Sequence, residues 1–183
     1  METLNKETFS HYPIDYDGVI WSKLSFFNFT RNSILKKDIL CFLEEGIIRK
    51  YYKENNKEEN QDYCVDFFFP GDIFTAKIEL GEMPQFIYEP LSKGKLWYID
   101  MEEVRKMFHE SQLCRTTQKV FLEEKLRETS YRELQLLKNT PQDRYSFLMK
   151  NKPKFIKYIP LKHLASYIGV TPQALSRIRK RIS

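Results

Sequence analysis

The stretch "IPLKHLASYIGVTPQALSRIRK", Ile159 to Lys180, decides how the chain is read. Leu161 to Gly169 has the apolar spacing of a short helix, and Gly169 suits the left-handed residue that ends one. Val170 and Thr171 make a turn, Thr171 caps the next helix and Pro172 occupies its first position. Two short helices joined by a tight turn holding glycine form a helix-turn-helix. In the second helix Leu175, Ile178 and Ile182 share one face and are expected to pack on Leu164, Ala165 and Ile168. Gln173, Arg177 and Lys180 lie opposite, at i, i+4 and i+7, with Ser176 beside them.

Those outward residues suit a polyanion with readable edges. Gln pairs with the adenine N6/N7 edge and Arg with guanine O6/N7. The N-terminal half of a recognition helix enters the major groove, which selects Gln173 and Arg177 as base readers. Thr171 and the helix start can hold a phosphate, while Lys162, Arg179, Lys180 and Arg181 add contacts that do not read sequence. The competing reading is a basic amphipathic helix lying on a core with a solvated outer face.

Charge distribution favours the first reading. The net charge is +5, yet Asp143 is the last acidic residue: Arg144 to Ser183 carries +10 and the preceding 143 residues −5. A basic segment beside a mildly acidic one is the footprint of a domain that meets nucleic acid. The partner expected is double-stranded DNA.

Upstream, residues 18 to about 100 read as β-rich. "VIWSKLSFFNF", "ILCFL", "GIIRKYY", "DYCVDFFF", "QFIYEPL" and "KLWYI" are short aromatic and β-branched runs between polar or Gly/Pro breaks, as in a sandwich or barrel. Lys53 to Gln61 reads as a charged hairpin loop. Phe26–Phe29 and Phe67–Phe69 offer either an interface or, by strand alternation, a core. From Asp100 the period changes. "DMEEVRKMF" reads as a helix with Asp100 and Glu103 as a capping box, and a longer helix follows over about Ser111 to Leu137. Leu113, Val120, Tyr131 and Leu134 fall on one side of it, and Leu122, Leu126 and Leu137 on another. A helix apolar on two sides packs between two bodies, its own β-domain and a second subunit, or else presents one wide stripe inside a monomer. Glu123 with Arg127 and Glu128 with Arg132 are spaced as i,i+4 surface pairs. "TPQDRYSFLMKN" restarts a helix behind Thr140 and Pro141, and "KFIKYIP" reads as an extended lead-in to the final two helices.

Composition narrows the remaining classes. An apolar fraction of 42% and an aromatic fraction of 15% over 183 residues suit a globular chain. No run reaches the length of a bilayer span, and the N-terminal sequence lacks a signal-peptide pattern, so a cytoplasmic protein without a membrane partner is expected. Cys41, Cys64 and Cys114 suit reduced thiols rather than a disulfide frame. A metal-dependent barrel enzyme needs clustered ligands, whereas His11, His109 and His163 fall on three different elements. No catalytic motif is present, and neither an enzyme nor a cofactor is expected. A protein-interaction module with an incidental basic tail is the alternative function.

The Ile159–Lys180 stretch resembles the helix-turn-helix signature of the Crp/Fnr family of bacterial transcription regulators. "EEGIIRKYY", "FFPGDIF" and the long helix before residue 140 are similar to that family's cyclic-nucleotide-binding-type barrel and dimerisation helix, so the likeness covers roughly residues 18–183. It implies an α+β fold: an N-terminal jelly-roll β-barrel over 1–109, a dimerisation helix over 110–138 and a helix-turn-helix domain over 139–183. It also implies a homodimer whose interface includes Leu113, Val120, Tyr131 and Leu134, and RNA polymerase as a further partner. Gln173 and Arg177 match the family's base readers; Pro172 stands where a basic residue is frequent. After Gly71-Asp72, Ala76 occupies the place of a ligand-binding Glu, and "QFIYE" (85–89) the region of a phosphate-binding Arg. Without a guanidinium the cyclic phosphate loses its bidentate partner, which argues against cyclic AMP or GMP and leaves any small-molecule effector unassigned. Three scattered cysteines do not supply the four-cysteine cluster of oxygen-sensing members. With Ser183 as the last residue read, no β-hairpin wing is expected beyond the recognition helix.

Overall fold

In a computed structural model, which describes Leu4, Glu7 and residues 19–35, 38–55, 60–76 and 85–182, the chain forms two compact units. The first comprises residues 1–50 and 67–124, the second residues 51–66 and 125–183. The N-terminal elements are α1 (Val19–Ser22), β1 (Ser25–Phe29), β2 (Ile39–Glu45), β3 (Ile48–Asn55), β4 (Asn60–Phe68), β5 (Ile73–Ala76), β6 (Ile87–Pro90) and β7 (Gly94–Asp100). The helices α2 (Met101–Glu110), α3 (Gln112–Lys138), α4 (Pro141–Asn151), α5 (Pro153–Tyr158), α6 (Leu161–Ile168) and α7 (Pro172–Ile182) follow.

One sheet has the order β1-β7-β2-β5 and the other β4-β3-β6. The continuous apolar run of β2 is explained by burial on both faces. Its alternate residues Leu40 and Phe42 join a core with Ile20, Trp97 and Met107, while Ile39, Cys41 and Leu43 join another with Phe29, Ile48, Phe68 and Phe74. β7 pairs antiparallel with both neighbours, setting Phe27 opposite Leu96 and Phe42 opposite Trp97. Gly94 sits beside the irregularity at Leu43/Glu45, where a Cβ would lie 2.1 Å from the Glu45 carbonyl oxygen, so only glycine admits that approach. The Phe67–Phe69 run is buried core, as is Phe29, whereas Phe26 stays exposed over the Trp97 ring. The three cysteines are free and buried, and desolvation pushes the Cys41 thiol far above its ordinary value.

Several expectations require correction. "VIWS" turns as α1, and β5, four residues long, was not expected as a strand. The expected loop over 53–61 is narrower, since β3 runs to Asn55 and β4 starts at Asn60; residues 56–59 lie outside the described ones. The expected capping box at α2 does not form. Asp100 takes the N-cap position without a side-chain cap bond, and Glu103 bonds instead to Lys106 at 2.8 Å and Lys23 at 3.1 Å. "KFIKY" is helical as α5, with Pro153 at its start and Phe155 and Ile159, one turn apart, both buried. The Glu128–Arg132 pair is replaced: Glu128 meets Lys125 at 3.0 Å, and Arg132 turns to backbone carbonyls. Among the described residues no helix is long and apolar enough to cross a membrane.

Candidate nucleic-acid interface

The second unit is built around α6 and α7, and its local geometry follows from four residues. Gly169 is left-handed, at φ 82°, and its N–H donates to the Ala165 and Ser166 carbonyls. The Val170 N–H reaches back to the Ala165 carbonyl at 3.0 Å, which closes α6 with a six-to-one bond. Thr171 Oγ1 then accepts the Ala174 N–H at 3.2 Å, capping α7, and Pro172 begins it. Leu164, Ala165, Ile168 and Leu175 are each at most 1% exposed, so this turn is fixed by core as well as by caps. Ile178 and Ile182, expected beside Leu175, are only half-buried.

Three further anchors hold α6. Ser166 Oγ donates to the Asp62 carbonyl at 2.7 Å and accepts the Cys64 N–H at 2.9 Å, tying the helix to β4. Arg144, on α4, donates to the Ile168 carbonyl at 2.9 Å, the Asn139 carbonyl at 2.5 Å and the Leu136 carbonyl at 3.3 Å. One guanidinium thus satisfies the C-terminal carbonyls of both α3 and α6, the ends where a helix dipole favours a cation. Burial pulls that guanidinium below its ordinary pKa. Arg132 lies 4.4 Å above the Tyr167 ring and donates to the Cys64 and Tyr167 carbonyls at 3.4 and 3.3 Å. Tyr167 is buried, and desolvation, reinforced by the charge of Asp66, pushes its hydroxyl up to about 12.

With the inner face so held, α7 presents the residues expected from the sequence. Gln173, Arg177 and Lys180 are exposed, Ser176 is half-buried beside them, and Thr171 and Lys162 are exposed at the turn and on α6. Thr140 caps α4 in a full capping box with Asp143, as its Oγ1 accepts the Asp143 N–H at 3.2 Å. On α3, Leu113, Val120 and Leu134 are exposed; Tyr131 is also exposed, with its ring 5.8 Å from that of Phe147. His109 is exposed on α2, His163 is half-buried on α6, and His11 lies outside the described residues.

Sequence reasoning missed Arg144, Arg132 and Ser166. Arg144 carried a signal, since it lies one turn before the buried Leu148, on the apolar side of α4. Arg132 carried none, because Glu128 at i−4 offered a surface partner that the fold assigns to Lys125.

No protein-family model matches the chain, and no curated protein sequence matches it. Solved structures do. FixK2 from Bradyrhizobium japonicum superposes with a TM-score of 0.71 at 15% identity, covering 87% of this chain and 84% of that one. A transcriptional regulator described as Crp/Fnr-family, from Eubacterium rectale, gives 0.67 at 15% identity over 100% and 83% of the two chains. A CooA mutant from Carboxydothermus hydrogenoformans gives 0.66 at 15% identity over 99% and 84%. At these identities the likeness establishes the fold, which is that of the Crp/Fnr-type regulators.

Proposed function

We propose that the chain is a homodimeric, sequence-specific DNA-binding transcription regulator of the Crp/Fnr type, acting in the cytoplasm. The observation that carries this is the exposed Gln173–Arg177–Lys180 face on a helix capped at its start by Thr171 and anchored on its other side by the buried Leu175. Gln173 and Arg177 read base edges. Ser176 and Lys180 lie alongside them, and Thr171 and Lys162 hold phosphates and set register.

Dimerisation through α3 is supported by the large apolar side chains that this charged helix leaves exposed, its buried residues being Cys114 and Thr117 near its start. Leu113, Val120, Tyr131 and Leu134 are about half exposed, and Leu126 and Leu137 reach 68% and 80%. A soluble helix seldom leaves so many large side chains in water unless another surface covers them. In the proposed organisation residues 1–109 are the sensor-like barrel, 110–138 the dimerisation helix and 139–183 the DNA-binding domain.

A barrel that does not bind cyclic nucleotides is supported by how its inside is filled. Phe68, Phe74 and Tyr88 form a stack, with centroids 4.1 and 5.7 Å apart along it. The buried Arg49 is already held by Glu89 at 2.6 Å, and Glu89 lies in the region that corresponds to a phosphate-binding Arg in cyclic-nucleotide-binding members. A carboxylate there repels a cyclic phosphate rather than recruiting it.

Selection of bound duplexes from a random pool, with no ligand added, tests the reading. The expected product is a two-fold-symmetric site with half-site centres about one helical turn, ~10 base pairs, apart. Binding without an enriched sequence, falling steeply with salt, would leave only the charge effect.

A further inference from the structure

The second unit contains a cleft of about 150 Å³ that the DNA-reading face does not use. Its walls come from the C-terminal half of α3, from α4 and from the last turn of α6. Tyr131, Leu136, Phe147, Leu148 and Ile168 make it mostly apolar, and Arg132 lines it as well. An apolar cavity of this volume accommodates a body the size of benzene.

Arg132 makes the cleft more than a packing defect. Among the described residues its buried Nε has no hydrogen-bond partner, although its other contacts are made to two carbonyls and to the Tyr167 ring. Among the described residues no carboxylate lies within ion-pair distance of it, because Glu128, which also borders the cleft, is engaged by Lys125 at 3.0 Å. A buried donor left unpaired is costly, more so when charged, and an arriving acceptor recovers that cost. The guanidinium fork matches a carboxylate in geometry and charge. Of the other cations in the lining, Arg144 is committed to three carbonyls and Lys152 lies over the Phe155 ring. Arg132 is therefore the one with an unspent buried donor among the described residues, which suits a single carboxylate.

We infer that this cleft binds a small organic acid, a monocarboxylate with a benzene-sized apolar body, with Arg132 as its charge partner. The ligand would touch α3, α4 and the last turn of α6, directly ahead of the Gly169 turn. Occupancy therefore bears on how firmly α6 and α7 are held, and through them on DNA affinity. That consequence rests on the regulator reading, whereas occupancy itself does not.

The test is fluorine NMR on the full chain with 4-fluorobenzoate as probe and fluorobenzene as its uncharged match. Saturable broadening of 4-fluorobenzoate, reversed by excess benzoate, is expected. Arg132→Met keeps the aliphatic stem and removes the charge, and should weaken binding about tenfold or more. Leu136→Phe fills the cleft from a side chain that is already 38% exposed, and should abolish binding even if Arg132→Met fails to fold. No saturable binding by the wild type, unchanged binding in Leu136→Phe, or fluorobenzene binding as tightly as the acid would each overturn the proposal. Acid binding by a protein that selects no DNA sequence would overturn the regulator reading and leave the cleft intact.

Discussion

The two units satisfy their inward-turned arginines in opposite ways. In the first, Arg49 is neutralised by a carboxylate, Glu89. In the second, the half-buried Arg132 and Arg144 make no such pair among the described residues; they donate to backbone carbonyls, and in the case of Arg144 to those at the ends of two helices. No acidic residue follows Asp143, and Glu128, one turn before Arg132, is taken by Lys125. Backbone carbonyls satisfy donors without cancelling net charge. The second unit therefore anchors its helices with half-buried guanidinium groups and still keeps a positive field toward solvent, which suits a polyanion partner.

The largest effect should come from the core under the turn. Leu175→Ala removes a fully buried side chain and should destabilise the second unit by about 2–5 kcal/mol in urea titrations followed by circular dichroism. A loss below about 1 kcal/mol would mean that α7 is held by its caps alone.

Alkaline pH probes the same unit through Tyr167. Its hydroxyl is raised from 10.0 to about 12 in the folded state, so the unfolded chain releases that proton first. The associated stability is fully present below pH 10 and is lost as pH climbs toward 12. The full loss is about 2–3 kcal/mol. Tyr167→Phe should flatten that part of the stability–pH curve, whereas an unchanged slope would place the responsible group elsewhere.

Arg144→Met asks directly whether carbonyls substitute for a carboxylate. It leaves the Ile168, Asn139 and Leu136 carbonyls without this donor and should cost about 2 kcal/mol. A neutral or stabilising result would show that water satisfies those carbonyls equally well. The smallest effect sharpens the contrast with a local motif. Thr140→Ala removes one cap from α4 and should cost about 1 kcal/mol, read as a shift in the thermal midpoint.

What the sequence disclosed tracks how local each determinant is. Gly169, Thr171 and Pro172 act within four residues of themselves, so the helix-turn-helix was readable to its boundaries. The fully buried β2 showed as an unbroken apolar run. The helical α5 was obscured because Phe155, Ile156 and Tyr158 favour strands by propensity, while the burial of Phe155 and Ile159 one turn apart decides for helix. Arg132 and Glu103 were misassigned because each had a suitable local partner, Glu128 and the helix start at Asp100. In the fold Glu103 goes to Lys106 at 2.8 Å and to Lys23, 80 residues away, and Arg132 to carbonyls of Cys64 and Tyr167. The cleft depends on three helices meeting, which no spacing along one helix announces.

The central claim is that the outer face of α7 reads bases. It is tested most directly by measuring the affinities of wild type and Arg177→Ala for the selected duplex and for a scrambled one, at two salt concentrations. The account predicts that the variant loses the preference for the selected duplex, by about 1–3 kcal/mol per half-site. It should still bind the scrambled duplex in a salt-dependent way. Full preference retained in Arg177→Ala, with the fold intact by circular dichroism, would contradict it.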